Sequence, residues 1–181
     1  MSGGGTRPPE EHGRPLSSPD AAAGHREEGL GRNALAGDLL SGNAPTGWFP
    51  YPPSKPVRLI PPIVLAYVGD AVYEVAVRQY LVSLPNLRPN HLHRSSTGLV
   101  SAKAQSRILA YLEPGLTEEE REVVRQGRNA KSGTVPKNAD VLEYRHATAF
   151  ETLIGHLYYS GRTDRIQELV HKGIEHMDKR P

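Results

Sequence analysis

Ile63–Val82 reads IVLAYVGDAVYEVAVRQYLV, twenty residues in which only Asp70, Glu74, Arg78 and Gln79 are strongly polar. Apolar side chains fall on almost every side of the helix this run would form, so it predicts a buried central helix rather than one lying at a surface. A membrane span takes about 20 such residues, but three formal charges in the middle of this one argue against that setting. Asp70, Glu74 and Arg78 stand at i, i+4 and i+8, which lines them up on one narrow stripe. Pro85 closes the run.

Downstream, the pattern continues to predict helices. After the Pro85–Pro89 loop, Asn90 is a candidate cap for a short helix (HLHRSS), and Val100–Leu112 predicts a second, ended by Pro114 and Gly115. Thr117 with Glu120 is a capping-box pair, opening TEEEREVVRQGRNAK with acids first and Arg125, Arg128 and Lys131 toward the end, the polarity that suits a helix dipole. SGTVPKNA is a loop with Asn138 or Asp140 as the next cap, and VLEYRHATAFETLIGHLYYSG then presents a wide apolar face stopped by Gly161. Thr163 is the expected cap of a last helix carrying Ile166, Leu169, Val170, Ile174 and Met177. Six or so helices and no convincing strand predict an all-α domain.

Upstream, the composition changes. Residues 1–62 hold 10 of the 18 glycines and 11 of the 16 prolines, too broken a segment to build a core. Residues 1–56 carry a net charge of −1 and residues 57–181 a net charge of +3. We therefore expect a disordered Pro/Gly-rich extension over 1–56, with a short helical turn near Asn33–Leu40, and a mildly basic folded domain over 57–181. The opening residues have neither the apolar stretch of a secretory signal nor the acid-poor composition of a transit peptide. With no cysteine among 181 residues, thiolate metal sites, thiol nucleophiles and disulfide scaffolds are excluded, and a cytoplasmic setting without membrane association is expected.

Two acids sit in apolar helical surroundings, Asp70 within YVGDAVY and Glu151 within TAFETLIG. An unpaired carboxylate is costly to bury, so each calls for a cation, a proton or a set of donors. Small neighbours (Ala66, Gly69 and Ala71; Thr148, Thr152 and Gly155) let two helices approach closely, so that both acids can reach one ion. Mg2+, with oxygen ligands at roughly 2.0–2.1 Å and retained waters, is the natural candidate. The structural alternatives are that Asp70 caps a helix restarted after Gly69 and that Glu151 pairs with Arg145 or another basic side chain inside the bundle. Glu74 is an ambiguous third acid, and its i,i+4 spacing favours pairing with Arg78.

Residues 123–137 hold Arg125, Arg128, Lys131 and Lys137 with no acid among them. Such a run suits a phosphate backbone, or else a solvated helix end that offsets the dipole. Arg88, His91, His93, Arg94, Lys103 and Arg107 form a second, weaker basic group. The close histidine pairs lack carboxylate partners at ligand spacing, so they are not read as zinc sites. With no Walker loop, G-x-G-x-x-G or G-x-S-x-G present, nucleotide cofactors and a serine nucleophile have no foothold.

LAYVGDAVYE (Leu65–Glu74), RPNHLHRSSTGLVSAKAQ (Arg88–Gln105) and GRNAKSGTVPKNADVLEYRHATAFETLIGHLY (Gly127–Tyr158) together closely resemble the Mini-ribonuclease III family, compact relatives of ribonuclease III that lack its double-stranded-RNA-binding domain. The resemblance covers about residues 57–178. It implies a homodimeric, all-helical endoribonuclease of the ribonuclease III type, dependent on Mg2+ with Mn2+ as a substitute, that cuts double-stranded RNA. In bacteria the family trims the ends of the 23S ribosomal RNA precursor, and a ribosomal protein can present the substrate. Carried over residue by residue, the resemblance makes Asp70 and Glu151 the catalytic, metal-binding acids. It puts Arg128, Lys131 and Lys137 near the RNA, and we add Arg94, Lys103 and Arg125 as expected RNA contacts. Larger ribonuclease III enzymes have two further acids one helical turn earlier, where this chain has Ala66 and Thr148.

The expected mechanism is hydrolysis of a phosphodiester without a covalent intermediate. Two rival readings use the same residues. In one, the fold is a catalytically degenerate module that binds structured ribosomal RNA without cutting it. In the other, it is a helical interaction protein whose acids are core ion pairs.

Overall fold

The computed structural model describes residues 47–130 and 140–179. The turn expected near Asn33–Leu40, and Lys131 and Lys137 of the basic run, lie outside the described residues. Within them are six α-helices, two short 3-10 turns (Val57–Leu59 and Glu113–Gly115) and no strand. The helices are α1 (Pro62–Val82), α2 (Pro89–Val100), α3 (Ala102–Leu112), α4 (Glu118–Arg128), α5 (Val141–Tyr159) and α6 (Thr163–Asp178).

The run that predicted a central helix forms α1, unbroken through Gly69, so Asp70 caps nothing. Its main packing partner is α5, which also carries α3 and α4 on its flanks, while α6 closes the bundle against α3. At the centre, Tyr73 of α1 and Phe150 of α5 are fully buried and meet edge to face, with ring centroids 5.0 Å apart, a geometry that adds about 0.5–1.5 kcal/mol to their burial. Val77, Ile108, Leu109, Leu153, Ile154 and Leu157 complete the inner layer. Among the described residues no helix is long and apolar enough to cross a membrane.

Local signals set most boundaries. Thr117 and Glu120 form the reciprocal capping box at α4, and the Asp140 carboxylate accepts from the backbone N–H groups of Leu142 (2.7 Å) and Glu143 (3.0 Å) to start α5. Gly161, at φ 69°, ends α5. The bonds from Arg162 N–H to the Leu157 carbonyl (2.9 Å) and from Gly161 N–H to the Tyr158 carbonyl (3.1 Å) make a Schellman stop.

Two expected caps are corrected. Asn90 lies inside α2, whose cap position is Arg88. Pro89 accepts the first helical position because it has no N–H to leave unpaired, and it holds the preceding residue extended. Thr163 is the first residue of α6 rather than its cap. The helix starts early because Arg162 is fixed on both sides, by its backbone bond to Leu157 and by its guanidinium on Glu119 and Glu120. The second expected helix begins at Ala102 rather than Val100, with the Ser101 hydroxyl accepting from Ala104 N–H. Upstream, Trp48 packs its ring edge-on against Tyr158 and donates its backbone N–H to the Tyr158 hydroxyl (2.8 Å), so this part of the Pro/Gly-rich segment rests on α5.

Candidate active site

α1 and α5 touch backbone to backbone. A methyl group on Gly69 would stand 1.9 Å from the carbonyl oxygen of Glu151, and one on Gly155 would stand 2.0 Å from that of Leu65. Only residues without a side chain permit such an approach. It delivers Asp70, next to Gly69, and Glu151 into one open cleft of about 580 Å3, which α3 borders with Ala102 and Gln105. The two acids, 81 positions apart in sequence, thus face a common space.

The electrostatics of this cleft are unusual for the molecule. Burial pushes the Glu151 carboxyl up to about 8, and the charge of Asp70 adds to the rise. Asp70 is raised as well, by burial first and by Glu74 second. The Gln105 amide partly opposes both shifts. Glu74 is ion-paired with Arg78, as the i,i+4 spacing favoured.

Glu120 supplies the contrast. This acid is fully buried in the same bundle, and burial alone would raise its pKa. Its carboxylate, however, accepts from Arg165 at 2.9 and 2.8 Å, from the Thr117 backbone at 2.9 Å and from Arg162 at 3.3 Å, and the net effect lowers it. Among the described residues, neither Asp70 nor Glu151 has a salt-bridge partner. Arg145, the alternative partner of Glu151, is exposed and is not among the residues that line the cleft. Two half-buried carboxylates that repel each other without a cation are in the state that binding a divalent ion relieves.

The donor set fits a hard cation. It comprises two carboxylates, with the Gln105 amide beside them, whose buried Nε2 and Oε1 have no fully formed hydrogen bond among the described residues. Ala66 and Thr148 line the same cleft; the first offers no ligand, and the second donates its hydroxyl to the Tyr144 carbonyl (3.1 Å). Among the described residues there is no group of three or more His, Cys, Asp or Glu side chains that could hold a metal, so water and substrate would have to complete any shell built on this pair. Gln105 is the residue that sequence reasoning missed. The signal was present: Ala104, Ile108, Leu109 and Leu112 form the buried stripe of α3, and Gln105 is the polar member of that stripe.

Among the described residues, none of the expected RNA contacts lines the cleft. Lys103 is exposed on the first turn of α3, beside cleft-lining Ala102, and Arg94 borders a separate polar hollow with Arg88 and His91 at the start of α2. Arg125 is held bidentately by Glu122 (2.7 and 2.6 Å), and Arg128 bonds Glu113 at 2.8 Å. The acid-free run is thus neutralised in part by acids outside it. Of the histidines, His171 lies 3.6 Å from Glu175, while His176 stacks on Tyr111 with centroids 4.1 Å apart.

Comparison with known proteins agrees with this architecture. The family model described as "Ribonuclease III domain" matches residues 63–162. A Mini-ribonuclease 3 of Brevibacillus brevis is 54% identical over 117 residues, spanning 65% of this chain and 87% of that protein. A Mini-ribonuclease 3 of Symbiobacterium thermophilum is 45% identical over 120 residues, spanning 66% and 92% respectively. A crystal structure of a Fusobacterium nucleatum protein superimposes with a TM-score of 0.60 at 31% identity, covering 67% of this chain and 98% of the other.

Proposed function

The chain belongs to the ribonuclease III family and is an endoribonuclease of that type, and from that premise we propose that it hydrolyses double-stranded RNA at the Asp70–Glu151 cleft, its natural substrate being the 23S ribosomal RNA precursor. The observation that carries this reading is a contrast among acids drawn in from solvent: fully buried Glu120 has its arginines, whereas half-buried Asp70 and Glu151 share a cleft with no cationic side chain among the described residues beside them.

Asp70 and Glu151 would hold Mg2+, with Mn2+ as a substitute, and an ion there supplies positive charge for the phosphorane-like transition state and for activating water. The chain's own part is to fix the two carboxylates across the α1–α5 contact. Hydrolysis by an activated water needs no covalent intermediate, and the Thr148 hydroxyl proton is committed to a backbone carbonyl. Duplex RNA is recognised largely by its A-form shape through phosphate and 2′-hydroxyl contacts, which the basic side chains on α2, α3 and α4 would supply. A homodimer would place two such clefts across one duplex, and the exposed apolar side chains at the start of α1 support that arrangement. The absence of cysteine is in keeping with a cytoplasmic setting, where a ribosomal protein could present the RNA. We further propose that residues 1–56 act as an extension to the catalytic domain over 57–181.

The test is duplex cleavage by wild type and Asp70→Asn in Mg2+, in Ca2+ and in EDTA, with melting curves beside it. Cleavage confined to wild type in Mg2+, with stability of Asp70→Asn kept or raised because a repelling acid is gone, is the expected outcome. Duplex bound but uncut by wild type in Mg2+ would point instead to an RNA-binding module. A sharp loss of stability in Asp70→Asn, with RNA affinity unchanged, would return the acids to a structural role.

A further inference from the structure

We propose that Gln105 is a positioning residue of this cleft, its two Nε2 hydrogens bridging Asp70 and Glu151 when an ion is bound. The inference rests on the metal reading above.

Gln105 is 1% exposed, and among the described residues neither Nε2 nor Oε1 makes a fully formed hydrogen bond, although the amide lies near enough to Asp70 and Glu151 to oppose the rise of both carboxyls. A buried primary amide has two donors and a two-lone-pair acceptor to satisfy, and leaving them unmade costs about 1–3 kcal/mol. The other polar members of the buried core find their partners: the Thr152 hydroxyl reaches the Thr148 carbonyl at 2.7 Å, and Glu120 is bound by Thr117, Arg162 and Arg165. Of the four polar side chains buried in the core, Gln105, Glu120, Thr148 and Thr152, Gln105 is the one whose polar atoms are left unpartnered among the described residues, and it stands on the α3 wall of the cleft with Asp70 and Glu151 as its charged neighbours there.

The chemistry of the pair says what the amide does. Each carboxylate has two oxygens, and any that a bound ion left unengaged would need donors in this half-buried setting. A single NH2 group, flat and with its hydrogens diverging, can serve both at once. Such outer contacts orient metal-binding carboxylates, and their removal typically weakens metal affinity about 10- to 100-fold. Lysine or arginine at this place would neutralise the acids and compete with the ion, whereas an amide orients them without adding charge.

The test compares full-length wild type with Gln105→Met, which keeps length and apolar bulk while removing the amide. Calorimetric titration with Mn2+, without RNA, should show affinity lowered about 10- to 100-fold. Melting of the metal-free variant should be little changed, because among the described residues the amide has no fully formed hydrogen bond to lose. Gln105→Asn, which retains an amide on a shorter stem, should recover part of the affinity. Equal Mn2+ affinity in wild type and Gln105→Met would overturn the inference while leaving the metal reading intact. Failure of wild type to bind Mn2+ would overturn both. If Gln105→Met does not fold, the wild-type side-chain NH2 resonances of Gln105 decide the matter by NMR: they should shift on saturation with Mg2+, and unmoved resonances would count against the bridge.

Discussion

A methyl group on Gly69 would stand 1.9 Å from the carbonyl oxygen of Glu151, so the helix that carries one candidate acid is seated on the backbone of the helix that carries the other. Stability and chemistry are joined at this contact. Gly69→Ala cannot be absorbed by a rotamer change, because the opposing atom belongs to the main chain. Overpacking typically costs about 1–3 kcal/mol and occasionally more; here about 3 kcal/mol or more is expected, with cleavage falling further than stability because the carboxylates are driven apart. Urea denaturation and duplex cleavage, measured side by side at a temperature where the variant remains folded, check both halves.

Glu151 ties both stability and metal affinity to pH. In the metal-free protein its carboxyl sits at about 8, against about 4.3 for an unperturbed glutamate. Between these values the folded chain holds a proton that the unfolded chain has released, so stability must fall as pH rises through this window. Melting temperatures in EDTA should therefore decline from pH 5 to pH 8, and Glu151→Gln should flatten the decline. The same proton must leave before an ion binds, so apparent Mn2+ affinity should climb with pH by up to about tenfold per unit below about 8. A pH-independent affinity across that range would contradict the assignment of Glu151 as a ligand.

Glu120 should show the opposite sign. Its lowered carboxyl contributes stability that is present above the unfolded glutamate value and is lost as pH falls below it. Arg165→Met removes the bidentate partner and leaves a buried carboxylate with the weaker Arg162 contact. Breaking a buried pair in this way typically costs about 3–5 kcal/mol. Mn2+ affinity should not change, since this cluster lies between α4 and α6, away from the cleft. Thermal melts and the same calorimetric titration separate the two effects.

These acids also mark how far the sequence could be read. Asp70 and Glu151 stood out because a charge inside an apolar run needs a reason, and Gly69 and Gly155 hinted at the close helix contact. Glu120 stood out in TEEEREVV only as the capping-box partner of Thr117; its burial was not legible, because it is imposed by arginines more than forty residues away. Gln105 was hidden for a related reason, since AKAQS carries no acid to flag and burial of an amide is decided by the helices around it. The caps at Arg88 and Arg162 were displaced by one or two residues because proline geometry and a tertiary ion pair outweighed side-chain preference.

RNA binding should respond to the acids that restrain the arginines. Arg125 and Arg128 pair with Glu122 and Glu113 in partly exposed settings, where such pairs contribute about 0–1 kcal/mol, so a phosphate can displace the carboxylate. Arg125→Ala with Arg128→Ala should weaken binding to all duplex sequences and make the slope of log K against log salt shallower, by about 0.9 for each phosphate no longer neutralised on the scale set by B-DNA. Glu113→Gln with Glu122→Gln should do the reverse, tightening duplex binding at low salt. If the acid-to-amide changes leave affinity unmoved while the alanine changes weaken it, the ion pairs are not competing with RNA.

Assembly should depend on the start of α1. Tyr67 is 82% exposed at the mouth of the cleft, and Leu59, Ile63 and Val64 are exposed beside it near the start of α1. Leu59 precedes the helix, while Ile63 and Tyr67 are one turn apart and so project from the same side. Single exposed apolar residues are ordinary, but a group of this kind marks a contact surface, and a two-fold axis would set Tyr67 of one protomer against the same surface of its partner. Tyr67→Arg places like charges across that axis and should shift sedimentation from dimer to monomer. Because Tyr67 also borders the cleft, loss of cleavage alone would not distinguish assembly from site damage. Leu59→Arg does, because Leu59 is exposed outside the cleft lining: its monomer should keep wild-type Mn2+ affinity, since Asp70, Glu151 and Gln105 all come from one chain. A Tyr67→Arg protein that remains dimeric would remove α1 from the interface.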